Sequence, residues 1–190
     1  MPTLRLSMSE PADDLLSRDP LALLIGMLLD QQVPMEKAFV GPFVLRERLG
    51  HDLDARELAE LPAERVAELF SARPALHRFP GSMAGRVQAL CAHLVEQYDG
   101  RAEAVWADAS TGAELFRRLS ALPGFGAQKA AIFLALLGKQ YGVRPEGWRE
   151  AAGGFGDADA HRSVADVTDA DSLALVREYK RQAKQAARQS

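Results

Sequence analysis

Five consecutive residues near the middle of the chain carry the clearest chemical pattern, Leu122-Pro123-Gly124-Phe125-Gly126. Gly124 and Gly126 can adopt backbone angles that other residues avoid, and without Cβ atoms they let a ligand approach the main chain closely. Apolar residues at helical spacing lie on both sides, which predicts a tight turn between two helices. The first amides of the second helix have no partner within it and lie at the positive end of its dipole. The turn therefore predicts a site for an anion such as a DNA phosphate.

Lys129 lies three residues beyond this turn, one turn inside the second helix, from where its ammonium group can add a charge contact to a phosphate. The competing interpretation is a helix connection whose glycines serve packing alone.

The net charge of the chain is −3, so the protein has no general basic excess for nucleic acid. Any contact with DNA must be local, made by backbone amides and a few side chains.

Three segments, in this order, resemble the helix-hairpin-helix DNA glycosylase superfamily, which includes endonuclease III and the alkyladenine glycosylases. Residues 23–33, LLIGMLLDQQV, are similar to the family's helix that ends in a glutamine-containing turn. Residues 81–90 are similar to the helix in which the family places Gly-x-x-x-x-Lys-Ala, and residues 121–130 resemble the family's hairpin. The resemblance covers residues 18–137, about two thirds of the chain.

The resemblance implies an all-α fold of two helical lobes with a cleft between them. In the family the hairpin holds the DNA backbone beside a damaged base, and a residue of the glutamine turn fills the gap that the extruded base leaves. Gln31 and Gln32 are the two candidates for this wedge, and the alternative for each is an amide that caps a neighbouring helix. The Gln-Gln-Val form is closest to the alkylation-repair branch, which implies an alkylated base as one candidate substrate.

The chain departs from the family at the position where members with lyase activity carry a nucleophilic lysine. By the resemblance this position is Gln128, which cannot form a Schiff base. Lys129 lies one residue on, about 100° further round the helix. The sequence therefore predicts no lyase step and leaves a monofunctional glycosylase that uses water.

Such an enzyme needs the family's aspartate, which stabilises the cation that develops on the sugar and orients water. In the interval where the family has it, this chain has none. Asp159 is the first candidate, because Asp159-Ala160-His161 resembles the family's Asp-x-His after an insertion, and Asp157 and Asp166 are the alternatives. For each, the competing role is a solvated loop carboxylate or a helix cap. Trp148, within the insertion, is the candidate for stacking on a flipped base.

Helical signals dominate the segments that must position these residues. Asp19-Pro20 predicts the start of an almost wholly apolar helix that leads into the glutamine turn. Another helix is predicted from Met35 to about Leu49, with Gly50 as its C-cap. We expect about eight to ten helices in all, a short strand over residues 3–7, and a loop with at most one helical turn over residues 138–162.

Two lobes of unequal size are expected from the resemblance. Residues 18–137 would form a core lobe that contains the glutamine turn and the helix-hairpin-helix. Residues 1–17 and 138–190 would together form a reduced second lobe. The last helix, starting near Asp171, carries five basic residues that either form a solvated face or contact phosphates beside the hairpin.

The remaining composition limits cofactors and location. The single cysteine, Cys91, excludes an internal disulfide and a four-cysteine iron–sulfur or zinc site. We expect no cofactor or metal, with a monovalent cation at the hairpin left open.

The longest apolar stretch, residues 21–29, is too short to cross a bilayer, and no secretory signal is visible. We expect a cytoplasmic, nucleoid-associated protein that binds double-stranded DNA with a damaged base, without membrane contact or an obligate protein partner.

Three functions compete. The first is base-excision DNA repair by a monofunctional DNA glycosylase, a hydrolase without lyase activity. The second is a non-catalytic helix-hairpin-helix protein that binds DNA but has lost the catalytic aspartate. The third is a helical interaction protein whose glycines only serve packing. A carboxylate of Asp157, Asp159 or Asp166 that projects into a cleft facing the hairpin would favour the enzyme, and the absence of all three from such a cleft would favour the binding protein.

Overall fold

The computed structural model describes residues 2–189, and this part of the chain is all-α, as predicted. It contains ten α-helices, three short 3₁₀ helices and no β-strand. The α-helices are α1 (Glu10–Arg18), α2 (Pro20–Leu29), α3 (Met35–Leu49), α4 (Ala55–Glu60), α5 (Ala63–Ser71), α6 (Pro80–Tyr98), α7 (Gly112–Ser120), α8 (Ala127–Gln140), α9 (Trp148–Ala152) and α10 (Ala170–Gln189). The 3₁₀ helices are Ala102–Val105, Gly153–Gly156 and Val164–Asp166.

The N-terminal segment differs from the prediction, because residues 3–7 form a loop rather than a strand. The amides of Leu6 and Ser7 donate to the buried carboxylate of Asp13, at 2.9 and 2.8 Å. Because α1 supplies these acceptors, the segment satisfies its main chain without a partner strand. Helix α1 itself was not predicted, since it begins after Ser9 without a side-chain cap.

Helix α2 lies at the centre of the core. Asp19 caps it as predicted, accepting hydrogen bonds from the amides of Leu21 and Ala22 at 2.9 and 3.2 Å. All nine residues after its first proline are buried. Phe39 of α3 packs so closely over Gly26 that a Cβ there would lie 2.7 Å from the ring. The second half of α2, which leads into the glutamine turn, is therefore packed tightly against α3.

Residues 138–162 contain more helix than predicted, and Trp148 explains why. Its side chain, only 9% exposed, packs against α8 at Gly138, where a Cβ would lie 2.3 Å from the indole. The Arg149 guanidinium lies 4.4 Å from the centre of the same ring. This corrects the prediction that Trp148 stacks on a flipped base, because its ring is enclosed and anchors α9 to α8.

Helix α10 packs on the body of the protein only near its start, where Ser172, Leu173 and Val176 are buried. It contacts the 3₁₀ helix Val164–Asp166, and its last ten described residues are exposed. No helix within residues 2–189 combines the length and apolarity needed to cross a membrane. The division into a core lobe and a reduced lobe stays a prediction.

Candidate functional site

A cavity of about 690 Å³ lies where three parts of the molecule meet. They are the glutamine turn (residues 30–33), the hairpin (residues 122–126) with the start of α8, and the exposed part of α10. We call this space the hairpin cavity. The two segments that the resemblance singled out independently, one near each end of the predicted core lobe, thus line the same space.

The two glycines of the hairpin serve different purposes. Gly124 has a φ of +83°, and a Cβ there would lie 2.2 Å from Leu28 of α2, so the position requires glycine. Gly126 has an ordinary extended backbone and open space where a Cβ would be. The first glycine therefore lets the hairpin pack on α2, and the second leaves the main chain accessible from the cavity.

The side chains of two hairpin residues, Leu122 and Phe125, point inward. Leu122 and Phe125 are 2% and 4% exposed, and the Phe125 ring lies edge-on to Phe133 at 5.9 Å between centres. Contact of these two residues with DNA is therefore limited to main-chain atoms, and that contact stays a prediction. Pro123 is half-buried, so the hairpin presents mainly main-chain atoms to a ligand.

The N-terminus of α8 opens onto the hairpin cavity. Gly126 provides no side-chain cap, and the first hydrogen bond of the helix runs from the Ala130 amide to the Gly126 carbonyl at 2.9 Å. The preceding amides have no acceptor within residues 2–189. Gln128 is exposed and lines the cavity. These amides are therefore open to a ligand in the cavity, and the binding of an anion there stays a prediction.

Lys129 does not extend toward a phosphate, although it lines the cavity. Its Nζ donates to the carbonyl oxygens of Met27 and Leu28 at 2.8 and 3.2 Å, and lies 3.5 Å from that of Asp30. Burial lowers the pKa of Lys129 to about 8, whereas Asp30 raises it. The carbonyls at the negative end of α2 favour the ammonium form. The predicted phosphate contact is thus corrected: Lys129 joins α8 to the end of α2.

Gln31 is held at both ends of its amide. Its Nε2 donates to the Leu28 carbonyl at 2.9 Å, and its Oε1 accepts from Arg86 of α6 at 2.9 Å. The Gln31 carbonyl also lies 2.8 Å from Nε2 of His77, whose Nδ1 accepts from the Phe79 amide at 3.0 Å. This pattern assigns the proton to Nε2 of the imidazole, which donates to Gln31. Gln31 therefore has the capping role that was the alternative for both glutamines.

The side chain of Gln32, unlike that of Gln31, is not held in place by hydrogen bonds. Gln32 is exposed, and its side chain makes no hydrogen bond with any residue that the structure describes. Its φ of +56° is uncommon outside glycine and costs about 1 kcal/mol or more. Strain of this kind is often retained at ligand sites. Of the two wedge candidates, only Gln32 has a free side chain at the tip of the turn.

None of the three predicted aspartates lines the hairpin cavity. Asp166 is almost fully buried and accepts from Lys139 at 2.5 Å and from the Arg162 amide at 2.8 Å. Asp157 is solvated and lies 3.9 Å from the Arg162 guanidinium, and Asp159 is exposed. The prediction of a catalytic carboxylate in this segment is therefore corrected: Asp166 is a helix cap, and the other two are solvated loop residues.

A fourth aspartate, which the sequence analysis did not single out, does line the cavity. Asp30 forms the C-cap of α2 and is half-buried, yet its carboxylate has no hydrogen bond or ion pair with any of residues 2–189. It is the one acidic residue among the described residues that line the cavity. Burial raises the pKa of Asp30, Lys180 and Lys129 lower it, and Glu36 raises it. The available signal was a lone charge at the end of a wholly apolar helix, directly before the two glutamines.

Basic and aromatic side chains complete the cavity. Arg86, Arg162 and Lys180 line it, together with Phe155 and Tyr179. Tyr179 is 42% exposed, with the Arg162 guanidinium 5.9 Å from its ring centre. Positive charge is thus concentrated here although the whole chain is slightly acidic.

The five basic residues of α10 divide into different roles. Lys180 lines the cavity, Arg177 forms an ion pair with Glu36 of α3, and Arg181 pairs with Glu178 of its own helix at 2.7 Å. Lys184 and Arg188 are exposed. Their contact with phosphates stays a prediction.

No family model, curated protein or solved structure matches this chain. Within residues 2–189, no group of three or more His, Cys, Asp or Glu side chains is arranged to hold a metal ion. The monovalent cation at the hairpin stays a prediction.

Proposed function

We propose that this protein binds double-stranded DNA at a damaged base and removes the base by hydrolysing its N-glycosidic bond. The observation that carries the proposal is the hairpin cavity, in which an uncapped helix N-terminus and a free glutamine face a common space. Its volume of about 690 Å³ lies within the range of sites that enclose small organic groups. A flipped nucleotide is such a group.

Phosphate binding is the first step and is supported by two kinds of donor. The amides at the start of α8 bind one phosphate beside the flipped nucleotide. Arg86, Arg162 and Lys180 provide positive charge around the same opening. These groups attract DNA phosphates only at the opening of the cavity. Such local attraction fits a chain whose overall negative charge would repel DNA at long range.

Base extrusion is the second step. Gln32 enters the duplex from the tip of the glutamine turn and replaces the lost base, while Gln31, Arg86 and His77 hold the turn in place. Phe155 and Tyr179 offer ring faces for the extruded base, a contact worth about 1–3 kcal/mol per base. An unpaired or damaged base costs less to extrude, which supplies part of the selectivity.

Hydrolysis by water is the third step, and no lyase step accompanies it. Gln128 occupies the family's lysine position, and the Lys129 amine is bonded to carbonyls of α2. Neither is free to attack C1′ of the sugar. Alkylated purines are the first lesions to test, because of the resemblance to the alkylation-repair branch.

A non-catalytic DNA-binding protein is the second candidate function. It is favoured by the placement of Asp157, Asp159 and Asp166, all of which lie outside the cavity. In this alternative the chain binds damaged or abasic DNA and performs no chemistry.

A pair of assays separates the two functions. The protein is incubated with duplexes that each carry one alkylated, deaminated or oxidised base, then with alkali, and strand scission is compared with an undamaged duplex of the same sequence. Scission on one lesion and no covalent complex with borohydride are expected for a monofunctional glycosylase. Binding to a duplex with an abasic-site analogue, without scission on any lesion, would support the non-catalytic protein. Failure to bind at low salt would exclude both.

A further inference from the structure

We propose that Asp30 is the catalytic residue of this site: its carboxylate faces C1′ of the flipped nucleotide, stabilises the positive charge that develops there and accepts a proton from the attacking water. This assignment rests on the proposed function. It replaces the three aspartates that the sequence suggested after the hairpin.

The position of Asp30 in the hairpin cavity supports this assignment. Asp30 lies between the last turn of α2 and Gln32, and it lines the cavity together with the start of α8. A nucleotide whose phosphate rests on the α8 amides and whose base enters this cavity brings its sugar between these elements. Asp30 is the one carboxylate that the described residues offer there.

The carboxylate of Asp30 has no structural role within the described chain, which also supports the assignment. A carboxylate at the C-terminal end of a helix is repelled by the dipole, and partial burial adds a desolvation cost. No hydrogen bond or ion pair within the described chain offsets these costs for Asp30. It also lies near the proposed phosphate, where a negative charge weakens DNA binding. A protein that only bound DNA would gain from an amide here, whereas an enzyme with a cationic transition state needs the charge.

The groups around Asp30 are suited to this task. Lys129 and Lys180 are the cations that act on its carboxyl group, and Glu36 is the one acid. Lys129 also approaches the Asp30 carbonyl, at 3.5 Å, and so helps to fix the residue against α8. Burial raises the pKa of Asp30, and the two lysines act in the opposite direction. Neither lysine forms an ion pair with the carboxylate that would block it. Asp30 therefore lies close to two cations and is accessible from the cavity.

The reaction balances with water as the only co-reactant. The C1′–N bond breaks, and its electron pair leaves on the base nitrogen. The water oxygen forms a new bond to C1′, and one water proton passes to Asp30. Asp30 then returns this proton to the base or to solvent. The products are the free base and an abasic sugar, and Asp30 ends as it began.

The test compares the wild type with Asp30→Asn in single-turnover excision from the lesion duplex that the wild type processes. We expect the rate to fall by at least roughly 100-fold. Affinity for a duplex with an abasic-site analogue should stay the same or increase, because a negative charge is removed. Asp159→Asn is the matched control and should keep the wild-type rate.

Excision by Asp30→Asn within about threefold of the wild-type rate would overturn the assignment and leave the proposed function intact. A wild type that excises no lesion would overturn both. Should Asp30→Asn fail to fold, the pH profile of the wild-type protein decides. The rate should fall in acid as Asp30 is protonated, at a pH above the ordinary aspartate pKa, and a flat profile through this range would contradict the assignment.

Discussion

The Nζ atom of Lys129 lies 2.8 Å from the carbonyl oxygen of Met27, a residue 102 positions earlier in the chain. This hydrogen bond joins the first turn of α8 to the last turn of α2. It therefore holds together the hairpin and the glutamine turn, which line the cavity from two sides. This contact and the packing of Gly124 on Leu28 both help to set the relative position of the proposed phosphate site and the proposed wedge.

Replacement of Lys129 by methionine tests this contact. Methionine keeps the apolar stem but leaves the α2 carbonyls without their donor, so the free energy of unfolding should fall by about 1–3 kcal/mol. The measurement is equilibrium unfolding in urea. Lys37→Met, at an exposed position on α3, is the control and should change stability by less than about 0.5 kcal/mol. Equal effects of the two substitutions would contradict the assigned role.

Alanine at the two hairpin glycines should separate packing from ligand access. Gly124→Ala must adopt a positive φ and displace Leu28, which we expect to cost about 2–4 kcal/mol of stability. Gly126→Ala has room for its methyl group and should cost at most about 1 kcal/mol. Gly126→Ala should nevertheless weaken DNA binding, since the methyl group lies beside the amides of α8. Thermal melts and a binding titration check both statements, and unchanged affinity would place the phosphate elsewhere.

The two glutamines should respond in opposite ways. Gln31→Ala removes two side-chain hydrogen bonds and should lower the free energy of unfolding by about 1–2 kcal/mol. Gln32→Ala should leave stability within about 0.5 kcal/mol of the wild type. It should weaken binding to a damaged duplex by roughly tenfold, because the gap in the stack is no longer filled. If Gln32→Ala binds damaged DNA like the wild type, Gln32 is not the wedge.

The free energy of unfolding should also depend on the ionisation of Asp30. Burial raises its pKa above the ordinary value of 3.8, so the folded state holds this proton more tightly than the unfolded state does. The contribution of Asp30 to stability therefore decreases as pH rises from 3.8 through the folded-state pKa. Asparagine does not ionise, so Asp30→Asn avoids this decrease in stability. The variant should therefore have a higher free energy of unfolding than the wild type at neutral pH.

Urea unfolding of the wild type and of Asp30→Asn at about pH 4 and about pH 7 measures this effect. The advantage of the asparagine variant should be larger at the higher pH. Asp159→Asn, at a solvated position, should show no such difference. An equal change at both pH values would mean that the carboxylate is not destabilised by its surroundings.

The helices that carry the site could be predicted because their ends are encoded locally. Asp19 followed by proline marks the start of α2, and Gly50, with a φ of +83°, ends α3 as expected. The hairpin was also predictable, because Gly124 and Gly126 lie between two apolar helical patterns. Local signals of this kind do not depend on how distant segments pack.

The site chemistry was less predictable because it depends on contacts between distant segments. The helical position of Lys129 is evident, but the direction of its amine is set by carbonyls of α2. Trp148 became part of the core because α9 packs on α8 at Gly138, and the irregular sequence of that segment gives no sign of it. The proposed role of Asp30 was not predicted, because the resemblance implies a catalytic aspartate after the hairpin.

Single-turnover excision on a panel of damaged duplexes examines whether the hairpin cavity performs chemistry. The wild-type protein should release a base from at least one lesion, leave an alkali-labile site, and form no borohydride-trapped complex. Asp30→Asn should bind the same duplex and release nothing on the same time scale. A wild type that binds abasic DNA but releases no base from any duplex would contradict the enzymatic function and leave a DNA-binding protein.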